Sequence, residues 1–506
     1  MRIPIPRQIN LTYMIGFVAT LLLVQIIEGT DPLFAGLGAA FLIIWAVSFN
    51  ACEGLLYPSG AWVFFFGIGT AGVGLFWKAV ILEPADKNLL NPDKTMLIYC
   101  VGMAAIGLSA SFAHRISYKK GLLSDWVQGD QMYAAAIGCF ILGTAFALGF
   151  ASVAEEGSIG SAIRQFNQFN RMAMILGTYY EVKKSGGTRS FNWVVGGAGT
   201  VLFCQGLVGF SKEGIFMPFL LYVLPAVTAG VIITKKQLIG GLLVGFFLVF
   251  YMVPYSQYGR QSRTEIYDFN SGVQIVEQYL FHLEETREAF NEIDNSVDLT
   301  GVMHYYDRPQ GLADREQMLA PDDALIDVTD TVGQFGIYPT VFAYLNFIPH
   351  FIWPGKPILS FGNSYGHEIG VLADDDDSTG ISFSPVGDVY HQAGWLGVTI
   401  VLPIVLFLYV FATDSVTGSV LSAPWALLAY ALIANGAPEG GVASTIWLTS
   451  FGILNIFVIA FLSRYVLPHI SKLFTGRKSE SFDSTPRFDP PGLTPATDAA
   501  GPGATL

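Results

Sequence analysis

Charge is what this chain has least of. Only 13% of its 506 residues are Asp, Glu, Lys or Arg, about half the share carried by soluble domains. A soluble globular fold is excluded. Cysteine is scarce as well: Cys52, Cys100, Cys139 and Cys204 all fall in or beside apolar runs. No pair has zinc-like spacing, so neither a disulfide framework nor a zinc site is expected. The motifs GxxxxGK[ST], HExxH and CxxC are missing. Nucleotide hydrolysis and zinc peptidase chemistry therefore have no support. Short alternating strands are missing too, which argues against a membrane β-barrel. No repeat occurs at solenoid periods, and the two halves are not similar.

Hydrophobic residues are abundant at 52%, and they come in runs of about 18 or more, the length needed to cross a bilayer as helix. In hydrocarbon every backbone N–H and C=O must be satisfied internally, so helices are expected. The clearest runs are 11–27, 33–50, 60–82, 96–113, 131–153, 191–208, 213–233, 238–256, 391–412, 420–436 and 443–465. The start, MRIPIPRQIN and an apolar run, has no small-residue cleavage site after it and reads as a retained first span. Arg2, Arg7, Arg115, Lys119, Lys120, Lys235, Lys236, Arg464, Lys472, Arg477 and Lys478 mark cytoplasmic ends. Eleven spans cannot satisfy all of these. A twelfth is expected within 158–181, where Arg164 and Arg171 require burial in protein; the alternative is an interfacial amphipathic helix. The expected fold is an all-α polytopic membrane protein with about 11–12 transmembrane helices and one large extracytoplasmic loop. Its parts are an N-terminal bundle 1–256, the loop 257–390, C-terminal helices 391–466 and a disordered cytoplasmic tail 479–506.

The net charge of −13 is concentrated in that loop. From Gly259 to Tyr390 there are 22 Asp or Glu against 6 Lys or Arg, which argues against a nucleic-acid partner. Within it, 271–292 has the spacing of an amphipathic helix, with Val276, Leu280, Leu283, Arg287 and Phe290 near one face and Ser271 as its cap. Residues 293–330 read as acidic and turn-rich. Residues 335–348 are apolar but broken by Pro339 and Pro349, so re-entrant or interfacial. Phe335–Val398 holds three of the seven histidines, His350, His367 and His391.

Charge near a bilayer is costly and invites a functional reading. Lys212 lies in a four-residue turn between spans, and Arg260 and Arg263 follow the eighth span. Arg171 is a fourth cation. Together they suit a lipid-linked phosphate or pyrophosphate. The plainer readings are a topology-setting Lys212 paired with Glu213, arginines snorkelling to headgroups, and lipid contact by Arg171. Lys356 is the only lysine in the loop, so a ligand phosphate or a structural ion pair is expected beside it. His350, His367 with Glu368, and Asp388 near His391 are candidates for proton transfer from a sugar hydroxyl; for either His367 or His391 alone the plainer role is a hydrogen-bonded structural histidine. Asp374–Asp377 match no calcium loop and read as solvated.

The run Ile348-Pro349-His350-Phe351-Ile352-Trp353-Pro354-Gly355-Lys356-Pro357 resembles the P-R-F-aromatic-P-x-K-P signature of bacterial oligosaccharide repeat-unit polymerases, the O-antigen polymerase or Wzy-like proteins of the polymerase/ligase superfamily. Gly362-Asn363-Ser364-Tyr365-Gly366 is similar to their following glycine-rich turn. Ser384–Val398 resembles the segment that re-enters the membrane after the periplasmic loop. Ser211-Lys212-Glu213-Gly214 resembles their S-R-x-G turn, and Arg260 stands at the arginine after the next pair of spans. The likeness covers roughly 170–465. Histidine at 350 and lysine at 212 depart from the family's arginines and lose the bidentate fork.

The resemblance implies a multi-pass glycosyltransferase of the bacterial inner membrane. It would polymerise polyprenyl-pyrophosphate-linked oligosaccharide repeat units into O-antigen, capsular or exopolysaccharide at the periplasmic face, with no cofactor and no metal. Glu368, Asp388 and His350 would be the catalytic candidates. Lys212, Arg260, Arg263, Lys356, Arg171 and His367 would bind pyrophosphate or substrate. Expected partners are the lipid-linked oligosaccharide, membrane lipid, and the chain-length regulator and flippase of the same pathway. A glycan ligase with the same fold remains open. So does a transporter of polysaccharide or lipid-linked sugar, although transporters gather polar residues at the bilayer midplane.

Overall fold

The computed structural model describes residues 1–149, 167–260, 262, 269–296, 303–314, 316–348, 352–353, 355–357, 359–377 and 379–475. His350, Arg263 and Arg164 lie outside these residues, as does the tail 479–506. Among the described residues the chain is helical throughout. Extended pairing occurs only as isolated bridges, Arg2 with Ile232 and Phe383 with Gly440.

Among the described residues, eight helices are long and apolar enough to cross a membrane. They are α2 (Pro32–Ala51), α3 (Pro58–Val80), α4 (Pro92–Ile116), α5 (Asp130–Gly149), α8 (Lys212–Ala229), α9 (Lys235–Gly259), α15 (Pro385–Thr417) and α17 (Gly441–Tyr465). Shorter apolar helices are α1 (Leu11–Ile27) and α7 (Trp193–Val208). Two more traverse the bundle interior, α6 (Phe169–Lys184) and α16 (Trp425–Glu439). The starts follow local chemistry. Asn10 accepts from the Thr12 and Tyr13 amides, and Asp31 does so for Leu33 and Phe34 ahead of Pro32.

Long-range contacts sort the helix ends into two groups. At one end, Arg2 bonds Gly186 O, the Leu55 amide bonds Pro6 O, Leu122 N bonds Ser415 O and Gln131 bonds Arg464 O. Buried Asp414 there accepts from the Ser59 amide at 3.0 Å and lies 2.7 Å from His114 Nδ1. At the other end, the turn before α8 meets the C-terminus of α9: Tyr255 and Ser256 hydroxyls donate to Leu207 O and Phe210 O. A Cβ on Gly206 would come 2.4 Å from the Gly214 carbonyl carbon. Glycine at both positions lets α7 and α8 cross this closely, which places Lys212 at the second end.

The polar segment resolves into short helices at that second end. The single helix expected over 271–292 is two, α10 (Phe269–Phe281) and α11 (Leu283–Ser296). Ser271 lies inside α10 rather than capping it. The break at His282 lets Val276, Tyr279, Leu280 and Leu283 all pack on the cluster of Leu207, Phe210, Met252 and Tyr255.

The acidic stretch expected to be turn-rich ends in a full helix, α12 (Leu319–Val332). It forms because its carboxylates find donors on membrane helices. Asp323 accepts from the Thr95 hydroxyl at 2.7 Å and from the Leu90 and Asn91 amides. Asp322 accepts from the Tyr99 hydroxyl at 2.5 Å and the Ser384 amide at 3.0 Å. The Met318 amide reaches Thr70 O at 2.8 Å, inside the π-helical turn Ile68–Gly72 of α3. Then come α13 (Tyr338–Leu345), begun by Pro339, and α14 (Phe361–Glu368). The chain closes with α18 (Leu467–Thr475).

α6 bears on the crossing expected within 158–181. It runs antiparallel to α5: Asn170 lies against Gly143, and the Tyr180 hydroxyl donates to Asp130 at 2.7 Å. Twelve of its sixteen residues are buried, and the four that are not, Arg171, Glu181, Lys183 and Lys184, are its charged residues. Residues 158–166 lie outside the described part.

Candidate functional site

A cavity of about 830 Å³ opens at the second end of the bundle. Its lining includes Lys212 and Glu213 from the first turn of α8 and Arg260 from the end of α9. Ser211 caps α8 by accepting from the Gly214 amide at 3.1 Å. Lys212 is thus a cation at the positive end of a helix dipole, where a bound anion would be favoured by both. Phe216, Met217, Phe219, Leu220 and Val223 continue the wall along α8, and Val223 is half exposed on the outer surface of the bundle. The cavity is therefore amphiphilic along one helix.

Acids also line it: Asp314, Glu316 and, from α16, Glu439. With Glu213 they outnumber the two cations. Glu213 is matched by Arg171, whose guanidinium donates to it at 3.2 Å. Glu316 faces the cavity; surrounding protein raises its pKa, and Lys212 pulls it back. Carboxylates in such a wall accept hydrogen bonds from hydroxyl-rich ligands.

A second cavity of about 260 Å³ adjoins the first. Phe342, Phe361, Tyr365 and Phe383 line it with Asp388. Ile381, Ser382 and Glu439 line both cavities.

Asp388 is buried and saturated. Oδ1 accepts from Gln392 at 2.7 Å and from the Tyr365 hydroxyl at 3.2 Å; Oδ2 accepts from the Val442 amide at 2.8 Å. Glu368 faces His391, Oε2 to Nε2, at 3.1 Å. His391 Nδ1 lies 2.9 Å from the Thr329 hydroxyl, which itself donates to Leu325 O. Nδ1 must then donate, while Nε2, although close to Glu368, makes no hydrogen bond. Burial raises the Glu368 pKa.

Lys356 stands apart from the cation group. Its ammonium donates to Ile348 O at 2.9 Å and to Asn346 O at 3.4 Å, carbonyls just beyond the C-terminus of α13. It lines neither cavity, and burial lowers its pKa. It straps the turn that follows α13. His367 Nε2 donates to Asp376 O at 3.1 Å, tying α14 to the acidic loop.

Of the nine residues singled out by sequence, the large cavity gathers Lys212 and Arg260, with Arg171 behind Glu213. Asp388 reaches the small cavity. Glu368, His367 and Lys356 hold the fold around it, and His350 and Arg263 lie outside the described residues. Sequence reading passed over Glu439. The signal was available: Glu439 is the only Asp or Glu from Ser415 to Ser479. No family model, curated protein or solved structure matches this chain.

Proposed function

We propose that this protein is a membrane glycosyltransferase that extends polyprenyl-pyrophosphate-linked oligosaccharides at the outer face of the bacterial plasma membrane. The observation that carries the reading is the amphiphilic cavity, lined by Lys212 and Arg260 and by the apolar flank of α8. Such a shape suits an isoprenoid chain ending in pyrophosphate. In this reading twelve helices cross the bilayer: α1–α9, α15, α16 and α17. The Lys- and Arg-rich end is cytoplasmic, and the segment after Arg260 is extracytoplasmic. The pyrophosphate is the leaving group, and the two cations stabilise the charge that develops on it. The segment from α12 to α14 covers the reacting end and limits water. A chain-length regulator and a flippase would act beside it.

The test is reconstitution of the purified protein with lipid-linked repeat units. A ladder of longer lipid-linked products is expected. Transfer only to a different acceptor would make the protein a ligase, and lipid movement without covalent product would make it a transporter.

A further inference from the structure

The two cavities meet at one carboxylate. Glu439 ends α16, and with Ile381 and Ser382 it forms the wall shared by the large cavity and the aromatic one. Nothing in the local sequence calls for an acid there. It sits in Asn435-Gly436-Ala437-Pro438-Glu439-Gly440-Gly441, at the C-terminal end of a helix, where the dipole disfavours negative charge. Its position is held closely. Pro438 presses on α3, where a Cβ at Gly69 would come 2.7 Å from the proline. The Phe383–Gly440 bridge holds the following residue, with the Gly441 amide donating to Phe383 O at 3.0 Å. Asp388 in turn fixes the start of α17 through Val442. A carboxylate that opposes its own helix dipole and is clamped between two chambers is placed for chemistry.

Resting on the glycosyl-transfer reading above, we propose that the aromatic chamber is the acceptor-sugar subsite and that Glu439 is the general base of the transfer. The chamber, at about 260 Å³, has room for a group of monosaccharide size, with Phe342 and Phe361 offering apolar faces to the sugar's C–H groups. The acceptor hydroxyl oxygen attacks the anomeric carbon of the donor sugar. The bond from that carbon to the pyrophosphate oxygen breaks, and its electron pair leaves with polyprenyl pyrophosphate toward Lys212 and Arg260. The hydroxyl proton passes to Glu439, which releases it to solvent when the product moves on. Atoms and charge balance without a co-reactant.

The test compares wild type, Glu439→Gln and Glu439→Asp in vesicles. Each is assayed for binding of polyprenyl pyrophosphate alone and for extension of lipid-linked oligosaccharide extracted from the producing cells. Glu439→Gln is expected to bind polyprenyl pyrophosphate as wild type does, which also certifies its fold, and to lose turnover on the order of 10²- to 10⁴-fold. Glu439→Asp should recover part of that loss. Ala443→Trp, which fills the aromatic chamber, should raise the acceptor KM with polyprenyl pyrophosphate binding intact. Wild-type turnover in Glu439→Gln would overturn the assignment while leaving the glycosyl-transfer reading in place. A wild-type protein that forms no glycan product under these conditions would remove that reading and this proposal together.

Discussion

The Oδ2 of Asp388 lies 2.8 Å from the backbone nitrogen of Val442. One side chain from the start of α15 thereby caps α17 across the fold, where unsatisfied amides and the helix dipole favour an anion. The same carboxylate takes two further donors, Gln392 and Tyr365. A carboxylate this engaged serves architecture better than proton transfer. Asp388→Ala should lower stability by about 1–3 kcal/mol, since three buried donors lose their acceptor. Thermal unfolding in detergent, followed by loss of the monodisperse peak, checks this. Asp388→Asn should keep most of the stability.

Lys212 and Arg260 should separate from Lys356 by function. Removing either cavity cation should weaken polyprenyl pyrophosphate binding about tenfold or more, because hydrogen bonds to charged groups are worth ~1.5–3 kcal/mol. Lys356→Met should leave that affinity unchanged and lower the melting temperature, since two carbonyls lose their donor. Equal loss of binding in all three would show that the strap at Lys356 belongs to the anion site.

Asp322 makes stability depend on pH. Burial, with a smaller push from Asp388, raises its pKa from 3.8 to about 7 against the pull of Ser384 and Tyr99. The folded state therefore holds the proton more tightly than the unfolded chain. The stability this lends is complete below about pH 4 and is lost as pH rises to about 7. Asp322→Asn cannot ionise, so its melting temperature should fall less across that window. Parallel curves for the two proteins would show that Asp322 stays ionised in the fold.

Topology gives a test that needs no substrate. In a background lacking the four native cysteines, a membrane-impermeant maleimide should label cysteines placed at Lys212 and Asp314 in intact cells. Cysteines at Lys119 and Arg189 should react only after permeabilisation. Position 212 reacting only after permeabilisation would invert the bundle and take the proposed anion site from the outer face.

Helices whose burial is set by their own composition were readable in order. The apolar runs at 33–50, 96–113 and 443–465 match α2, α4 and α17 to within a few residues. The acidic segment was not readable. Asp322 and Asp323 look like solvent-loving residues of a turn, yet they are buried because Tyr99, Thr95 and three backbone amides converge on them from far along the chain. Lys356 misled in the opposite way. A lone lysine among acids suggests an anion, but its partners are carbonyl oxygens a few residues back. Glu439 was legible only as an oddity of composition.

What the sequence by itself determined is the class of the molecule: helical, rich in candidate membrane spans, with its net negative charge concentrated in one stretch. The reason is local, since hydrocarbon leaves a long apolar run no other way to satisfy its backbone. Which charges meet was decided only by tertiary structure. Lys212 and Arg260 line one cavity because Gly206 and Gly214 let two helices cross closely and Gly259 packs on Phe210. Glu439 joins two chambers because Pro438 and the Phe383–Gly440 bridge hold it there. A charge is compensated by whatever group the fold brings within a few ångströms, and chain order does not encode that distance.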